Sequence, residues 1–406
     1  MRSILVRLFG RNGRDPMITL SLIFLCIFGV IMIGSASVGQ STTYGTLYPA
    51  KNMGKQAVFL FVGFAIYFFT IKKLKPKNIN EPLAYGLVGL GIVGLLACRL
   101  FTPVNGSYAW IRFGSFTIQP SEFMKVFIII YLAFIFGDLE SAYTISPKVR
   151  KNRRKELEEK KLKDCIIKPF GICLVIFGIV VGVQGDLGSA LIIAFICMIV
   201  FFCCNKDYYK PLQRIVGIIL LVGIIATPSL YLIAKNVLAE YQLTRITTWL
   251  HPLSNPTTSG WQLVNSLISF SSGLFGKGFN ESSQKFGYIP EAHNDFIGAI
   301  IFEELGLFGL LLILIPYCII IFKLFRYASI MKDTKCKLYL YGVSAYFFAH
   351  LMINMGGISG LIPMTGVPLL LISSGGSSTW SAIGSLGIAQ AIISSYNKSK
   401  LKEEMK

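Results

Sequence analysis

The sequence has no stretch that is long and polar enough to form a soluble domain. Hydrophobic residues make up 53% of its 406 residues and charged residues only 15%, and the mean hydropathy is +0.62. Such a composition is typical of a membrane protein and excludes an ordinary water-soluble enzyme. We therefore expect a single polytopic membrane domain over residues 1–406.

Cysteine pairs and metal-binding spacings are also missing. The nine cysteines include no CxxC pair, and because all fall in apolar runs or basic loops, they indicate free thiols rather than disulfides or a zinc site. There are three histidines. His251 and His293 are typical of solvated loop residues, and His350 is typical of a hydrogen-bonded residue inside a helix bundle. No His, Asp or Glu spacing is specific for a metal.

Nucleotide-binding motifs are absent too. The sequence has no P-loop, no GxGxxG after a strand and no DFG-like set, and these motifs supply the phosphate contacts of nucleotide-driven proteins. Transport driven by a nucleotide is therefore not expected.

Apolar runs of bilayer-spanning length recur along the chain, since roughly 20 residues cross about 30 Å of hydrocarbon. Long continuous runs are helical, because only helices and closed barrels satisfy the backbone in lipid. The sequence thus predicts an all-α integral membrane protein with about ten spans. These are residues 17–37, 56–72, 82–101, 122–138, 168–184, 187–204, 212–234, 296–324, 337–357 and 367–395.

Alternate loops are basic, and this pattern orients the predicted bundle. A loop at about 139–167 contains KVRKNRRKELEEKKLK, and the C-terminal tail contains KSKLKEEMK. The positive-inside rule places both termini in the cytoplasm and a large loop at about 235–295 outside. Residues 1–37 resemble a signal peptide, but their apolar run is too long and its removal would leave an odd number of spans.

The net charge of +19 follows from this topology. Positive charge spread over cytoplasmic loops attracts the anionic headgroups of membrane lipids. Because the charge is not gathered in one domain, nucleic acid is not an expected partner.

Unusual polar residues gather in four outer loops, which predicts one composite site on the outer face. Each residue also has a structural alternative. Trp110 is by itself more typical of an interfacial aromatic belt. Glu122 and Lys125, three residues apart, could simply neutralise each other, although charges so deep usually face a cavity or the bundle interior. Asp186 could be an N-cap residue.

Two further groups lie near the starts of the last spans. Glu303 and Glu304 fall about one turn or more into the eighth span, so at least one should point inward and pair with a cation. The small residues 373–378 could permit close helix packing or unwind the tenth span to line a polar cavity.

Taken in order, the motifs resemble the SEDS family of bacterial proteins (shape, elongation, division and sporulation), the RodA, FtsW and SpoVE group. The resemblance covers nearly the whole bundle, and the serine before Gln284 and the letters PEAH lean slightly toward the division and sporulation branch. The matching motifs are WIxxG, QPSExxK, QxDLG, GWQ, GLFGKG, SxQK, YIPEAHxDF, EELG, PMTGVP and SxGGSS, together with Arg245, Pro252 and Asn354.

The resemblance implies a glycosyltransferase that polymerises lipid II, the undecaprenyl-linked disaccharide-pentapeptide, into peptidoglycan at the outer face of the cytoplasmic membrane. It implies a class B penicillin-binding protein as partner. Such chemistry needs a base for the attacking hydroxyl and cations for the departing pyrophosphate. The resemblance leaves room for a divalent cation, Mg²⁺ or Mn²⁺, without requiring one.

One position departs from the family pattern. The family's essential Asp stands in a stretch like PxxDPxxxG[YW]Q, and this chain has PLSNPTTSGWQ, with Asn255 in that place. Three interpretations follow: impaired activity, replacement by another acid (Asp295, Glu240 or Glu281), or a different alignment of the loop. Smaller departures are Gly185 and Leu370, which replace prolines.

The expected site therefore has two groups of residues. Catalytic candidates are Asn255, Asp295, Lys125 and Arg245. Substrate-binding candidates are Trp110, Glu122, Asp186, Gln262, Lys285, Glu303 and Ser377. Six of these (Trp110, Lys125, Asp186, Arg245, Lys285 and Asp295) are expected to converge on one outer cavity. Two alternative functions are a lipid II flippase or other lipid transporter, and a catalytically impaired scaffold that activates a partner synthase.

Overall fold

The computed structural model describes residues 13–104, 106–114, 116–143, 151–237, 246–254, 256–258, 260–290 and 292–404. These residues form a helical bundle with one small antiparallel hairpin of strands β1 (Ile111–Phe113) and β2 (Phe116–Ile118), in which Arg112 pairs with Thr117. The main helices are α1 (Pro16–Ser37), α2 (Tyr48–Lys73), α3 (Glu81–Ala97), α4 (Pro120–Phe134), α5 (Lys151–Leu162), α6 (Lys168–Gly178), α7 (Leu187–Phe202), α8 (Lys210–Val237), α9 (Trp261–Phe270), α10 (Ile297–Ile330), α11 (Thr334–Ile358) and α12 (Gly376–Glu404).

The all-α membrane class expected from the sequence is confirmed. Among the described residues, five helical segments are long and apolar enough to cross a membrane: Pro16–Tyr44, Tyr48–Lys73, Glu81–Leu100, Arg153–Val183 and Ile297–Ile330. A sixth arises if the segments Leu187–Phe202 and Asp207–Gly223, bent by 120°, form one broken span. Helices also occupy most of the other predicted spans, but over the described residues they are not both long and apolar enough to be counted, so the count of ten stays a prediction.

The buried centre of the bundle is built around α4 and α11. Helix α12 packs against α2, α3 against α4, α10 against α1 and α11, and α7 against α4 and α11. Nearly every residue of α4 from Pro120 to Phe134 is buried, because neighbouring helices surround it. Any charged residue on α4 must therefore find its partners inside the protein.

The residues just before α1 determine where that helix begins. The side chain of Asp15 accepts hydrogen bonds from the backbone N–H groups of Met17 and Ile18 and caps α1, with Pro16 in the first turn. Asp15 is itself held by Lys323 on α10, 3.0 Å away. The start of α1 is thereby fixed to the far end of α10.

Several predicted segments differ from the structure. The predicted tenth span, 367–395, is wrong in its first part, because its helix begins only at Gly376. The preceding residues use other partners: the N–H of Leu369 donates to Ser373 Oγ, and the N–H of Ser374 donates to the His293 carbonyl. In addition, the predicted loop at 139–167 contains α5, and the predicted loop at 235–295 contains α9.

Candidate active site

The first element of the site is a charged cluster in the centre of the bundle. Lys125 Nζ lies 2.7 Å from Glu122 Oε1 and 3.2 Å from His350 Nε2, and all three side chains have 0–1% exposure. Because Glu122 and Lys125 lie one turn apart on α4, they share a face and neutralise each other, as the spacing predicted. His350, on α11, completes the cluster.

His350 has a defined role in this cluster. Its Nδ1 lies 3.1 Å from the Pro368 carbonyl oxygen, which can only accept, so Nδ1 carries the hydrogen. Nε2 then offers a lone pair to the Lys125 ammonium group. The expectation that His350 is a hydrogen-bonded bundle residue is confirmed, and it links Lys125 to the chain segment before α12.

That segment, Met364–Pro368, gathers several functional candidates. Asn354 Nδ2 donates to the carbonyl oxygens of Val367 (2.8 Å) and Asp295 (2.7 Å). Gly366 has φ +70°, and a Cβ built on it would lie 3.3 Å from Asp295 Oδ2. A small cavity is lined here by Asp295, Asn354, Thr365 and Gly366 among others. A glycine at 366 therefore lets the Asp295 carboxylate approach this segment closely.

Gln119, directly before α4, joins Asp186 and Ser377. Its Nε2 donates to Asp186 Oδ2 at 3.0 Å, and its backbone N–H donates to Ser377 Oγ at 2.9 Å. Asp186 also caps α7 by accepting from the Ser189 N–H. The N-cap role expected as one interpretation of Asp186 is therefore present, and it does not exclude a functional role. Asp186, Ser377 and the start of α4 are thereby fixed to each other.

Trp110 lies next to the same region and is partly buried. The neighbouring Tyr108 N–H and Ser107 Oγ both donate to the Gln184 carbonyl oxygen, each at 2.9 Å. The following residue, Gly185, has φ +70°, which the ring of a proline forbids. The departure from the family's proline therefore shapes the turn that carries Asp186.

A second cluster surrounds the two carboxylates of α10. Glu304 accepts from Lys285 Nζ at 2.9 Å and from Ser35 Oγ at 2.7 Å, and Lys285 and Glu304 both have 0% exposure. Glu303 accepts from Lys277 Nζ at 2.6 Å and from the Ser283 N–H at 3.2 Å. The prediction that at least one carboxylate points inward with a cationic partner is confirmed for both.

A break in α10 explains how these lysines reach the carboxylates. Gly306 has φ 58° and ψ −144° inside the helix, so nearby backbone groups lose their usual helical partners. The carbonyls of Glu303 and Glu304 instead accept from the N–H groups of Lys277 (2.8 Å) and Gly278 (2.9 Å). The GLFGKG and EELG motifs are therefore one structural unit.

Two of the predicted residues lie outside the described part of the chain: Arg245 and Asn255. Glu240, an alternative acid, lies outside it too, whereas Glu281 is exposed. Gln262 lies partly buried in the first turn of α9. The contacts connect Lys125, through His350, and Asp295 to the segment before α12, and they connect Asp186 to Ser377 through Gln119. Lys285 belongs to the cluster on α10. Convergence of all six residues on one cavity stays a prediction.

Sequence reasoning missed several residues of these clusters. Lys277 and Gln119 stand inside quoted motifs, so motif membership could have identified them. Ser35 and Asn280 carry no such signal, because a serine in an apolar helix and an asparagine in a loop are common. Asn280 accepts from Lys285 Nζ through its side-chain oxygen at 2.7 Å and through its carbonyl oxygen at 2.8 Å, and only the folded structure reveals this.

Within the described ranges, no three His, Cys, Asp or Glu side chains gather as a metal site would require. The described residues therefore do not form a ligand set for Mg²⁺ or Mn²⁺. The carboxylates of the two clusters make ion pairs and hydrogen bonds instead.

Comparison with known protein sequences gives one consistent family. The family model described as cell cycle protein (FtsW, RodA, SpoVE) matches residues 16–398. A relative from Bacillus subtilis strain 168, named probable peptidoglycan glycosyltransferase FtsW, is 33% identical and the match covers 96% of this chain and 93% of the relative. A protein of the same name from Wigglesworthia glossinidia brevipalpis is 32% identical, with 92% of each chain covered.

Two solved structures share the fold. One, described as structural coordination of polymerization and crosslinking by a peptidoglycan synthase complex, has a TM-score of 0.68 and 22% identity, and the match covers 94% of this chain and 98% of that chain. The crystal structure of the Thermus thermophilus rod shape determining protein RodA has a TM-score of 0.62 and 21% identity, covering 94% and 97%.

Proposed function

The chain belongs to the FtsW, RodA and SpoVE family of cell cycle proteins, and from this premise we propose that it is a peptidoglycan glycosyltransferase that polymerises lipid II. The observation that carries the proposal is a pair of linked contacts: Lys125 (through His350) and Asp295 meet the Met364–Pro368 segment, and Gln119 at the start of α4 holds Asp186 and Ser377. The names of the relatives support it. The lipid II substrate follows from the reaction that those names describe.

The proposal includes ten spans, cytoplasmic termini and a site that faces outward. Its support is the sequence: alternate loops are basic, and the polar motifs fall in the loops between them. The candidate site lies at the start of α4, whereas Glu140, with its lysine partners, lies beyond the other end of α4.

The proposed chemistry divides the charged residues into two kinds. Lys125 and Lys285 are enclosed and already paired with carboxylates, so each pair adds little net charge. We assign them to holding the shape of the site rather than to direct contact with the pyrophosphate. Arg245, outside the described residues, is then the cation proposed to stabilise the departing pyrophosphate.

The base that takes the proton from the attacking sugar hydroxyl is Asp295 or a residue near Asn255. A neutral amide cannot act as a carboxylate base. Asp295 is favoured among the described acids because it borders a cavity beside the Met364–Pro368 segment. Asp186 has its carboxylate bound to Gln119 and to the start of α7, so we assign it a positioning role.

Polymerisation of fluorescent lipid II by the purified protein tests the function, with and without a class B penicillin-binding protein. General-base assistance contributes about 10²- to 10⁴-fold. Asn255→Asp should therefore raise the rate by up to that factor if position 255 is the family's acid. Asp295→Asn should lower the rate by about 10²- to 10⁴-fold if Asp295 is the base, and exposed Asp207→Asn is the matched control.

One alternative function is a scaffold that activates a partner synthase, and the amide at Asn255 favours it. The same assay separates the two. Glycan chains made by the protein alone support the enzyme. Failure to polymerise, even as Asn255→Asp, combined with stimulation of the partner, would replace the enzyme by the scaffold.

A further inference from the structure

A group of exposed apolar side chains lies in the segment Gly273–Phe279, which the sequence assigns to a polar outer loop. Phe275 has 93% exposure, Leu274 65% and Phe279 54%. Large apolar side chains exposed together on one short segment mark a surface that contacts something apolar. The position of the segment along α10 indicates what that is.

The segment is fastened to α10 well beyond the start of that helix. The N–H of Leu307 donates to the Leu274 carbonyl at 2.8 Å, and the Lys277 and Gly278 N–H groups donate to the carbonyls of Glu303 and Glu304. These bonds form at the Gly306 break, nine residues after the first residue of α10. At 1.5 Å per residue, the segment therefore descends about 13 Å along the helix.

This depth coincides with the edge of the apolar part of α10. No charged residue occurs from Leu305 to Phe322, between Glu304 and Lys323, and these residues span about 27 Å, close to the roughly 30 Å of hydrocarbon in a bilayer. The backbone of Leu274–Gly278 thus lies at the hydrocarbon boundary.

The segment is also continuous with an exposed apolar side of α10. A stripe of exposed residues runs along that helix at helical spacing: Leu307, Leu311, Ile315, Cys318 and Phe322. Leu307 begins the stripe and is bonded to Leu274. Lys277, partly exposed and paired with Glu303, offers a cation at the level of lipid phosphates.

We propose that Leu274, Phe275 and Phe279 insert into the acyl-chain region at the edge of the bilayer, so that Gly273–Phe279 is a lipid anchor. The occupant of this surface is phospholipid. The anchor holds Lys277 against Glu303, and it thereby couples the membrane boundary to the charged cluster on α10. This inference requires only that α10 spans the membrane, and it does not depend on the catalytic activity.

Photocrosslinking in lipid nanodiscs tests the anchor. The full-length protein is made with p-benzoylphenylalanine in place of Phe275, and intact-mass spectrometry after irradiation measures covalent phospholipid adducts. Phe308, exposed beside the stripe on α10, is the matched position for lipid contact. Leu401, exposed among the charged residues of the C-terminal helix, is the matched position for contact with water.

The proposal expects an adduct yield at position 275 comparable to that at 308 and several-fold above that at 401. A yield at 275 equal to that at 401, with strong labelling at 308, would overturn it. Crosslinking of position 275 to a second protein copy instead of lipid would overturn it as well, because the surface would then be a protein interface.

Discussion

Two groups of ion pairs lie toward opposite ends of the bundle, and they differ in their access to solvent. At the candidate site, Lys125–Glu122 and Lys285–Glu304 have side chains with 0–1% exposure. Beyond the other end of α4, Glu140 binds Lys161 and Lys206, and these three side chains have 11–19% exposure. The same chemical pair should therefore have very different energetic consequences in the two places.

The difference arises from what remains after one partner is removed. A buried charge left without its partner costs about 3–5 kcal/mol, because no water can replace the lost contact. Glu140 is less completely enclosed and keeps a second lysine partner when the first is removed, and ion pairs with access to water contribute about 0–1 kcal/mol. Enclosed pairs at the site therefore specify one arrangement, while the Glu140 cluster tolerates change.

The largest effect is expected from Lys285→Met, which leaves Glu304 buried and unpaired. The free energy of unfolding should fall by about 3–5 kcal/mol, measured by thermal or denaturant unfolding in detergent. Lys161→Met is the matched control and should lose no more than about 1 kcal/mol. The double variant Lys285→Met with Glu304→Gln should recover part of the loss. Equal losses in both single variants would contradict the comparison.

Gly306→Ala should have the next largest effect. Its positive φ costs a non-glycine residue about 1–3 kcal/mol, and a Cβ there would lie 2.2 Å from the Leu274 carbonyl oxygen. The segment Leu274–Gly278 must therefore move away from α10, and Lys277 with it. Unfolding free energy and the crosslinking yield at position 275 should both decrease. Gly86→Ala on α3, where nothing lies within 4 Å, should leave both unchanged or slightly improved.

Two substitutions of His350 compare its two hydrogen bonds, because each new side chain mimics one ring nitrogen. Asn retains a donor near the Nδ1 position but loses the acceptor for Lys125, whereas Gln retains an acceptor near Nε2. Since an unsatisfied buried group costs about 1–3 kcal/mol, His350→Asn should destabilise more than His350→Gln and should lower the polymerisation rate more. If Gln is the more damaging change, the bond to Pro368 contributes more than the one to Lys125, against this prediction.

The smallest expected effect is the pH dependence of stability contributed by Glu140. Burial raises the pKa of Glu140, but hydrogen bonds from Lys161 and Lys206 outweigh it and leave the pKa lowered. A lowered folded-state pKa stabilises the protein above the unfolded pKa of about 4.3, and this contribution is lost as pH falls through the folded pKa. The difference in unfolding temperature between the parent protein and Glu140→Gln should thus be present at neutral pH and vanish in acid. A difference that is constant across pH would refute this.

The sequence predicted the class of the protein because hydrophobicity acts locally. Apolar runs such as the one around α10 must be helical in lipid, and the spacing of Glu122 and Lys125 places both on one face of α4. The inward orientation of Glu303 and Glu304 followed from the cost of a charge in lipid. Each of these arguments uses only residues near each other in the chain.

The sequence was less informative where backbone groups have alternative partners. It predicted the tenth span from residue 367, but Ser373 Oγ and the His293 carbonyl supply competing hydrogen bonds, and the helix begins at Gly376. The composition of the segment is compatible with either conformation, so local propensity could not decide between them.

Composition and charge pattern by themselves determined a helical membrane protein with polar motifs gathered in a few loops. Only the tertiary structure decided which side chains meet: Lys125 with His350, 225 residues apart, and Lys285 with Ser35, 250 residues apart. It also decided the depth of Phe275, which lies level with Gly306. That depth depends on the break in α10, where the Glu303 and Glu304 carbonyls accept hydrogen bonds from the N–H groups of Lys277 and Gly278. Local sequence determines which backbone conformations have low energy, and long-range hydrogen bonds in a low-dielectric interior select among them.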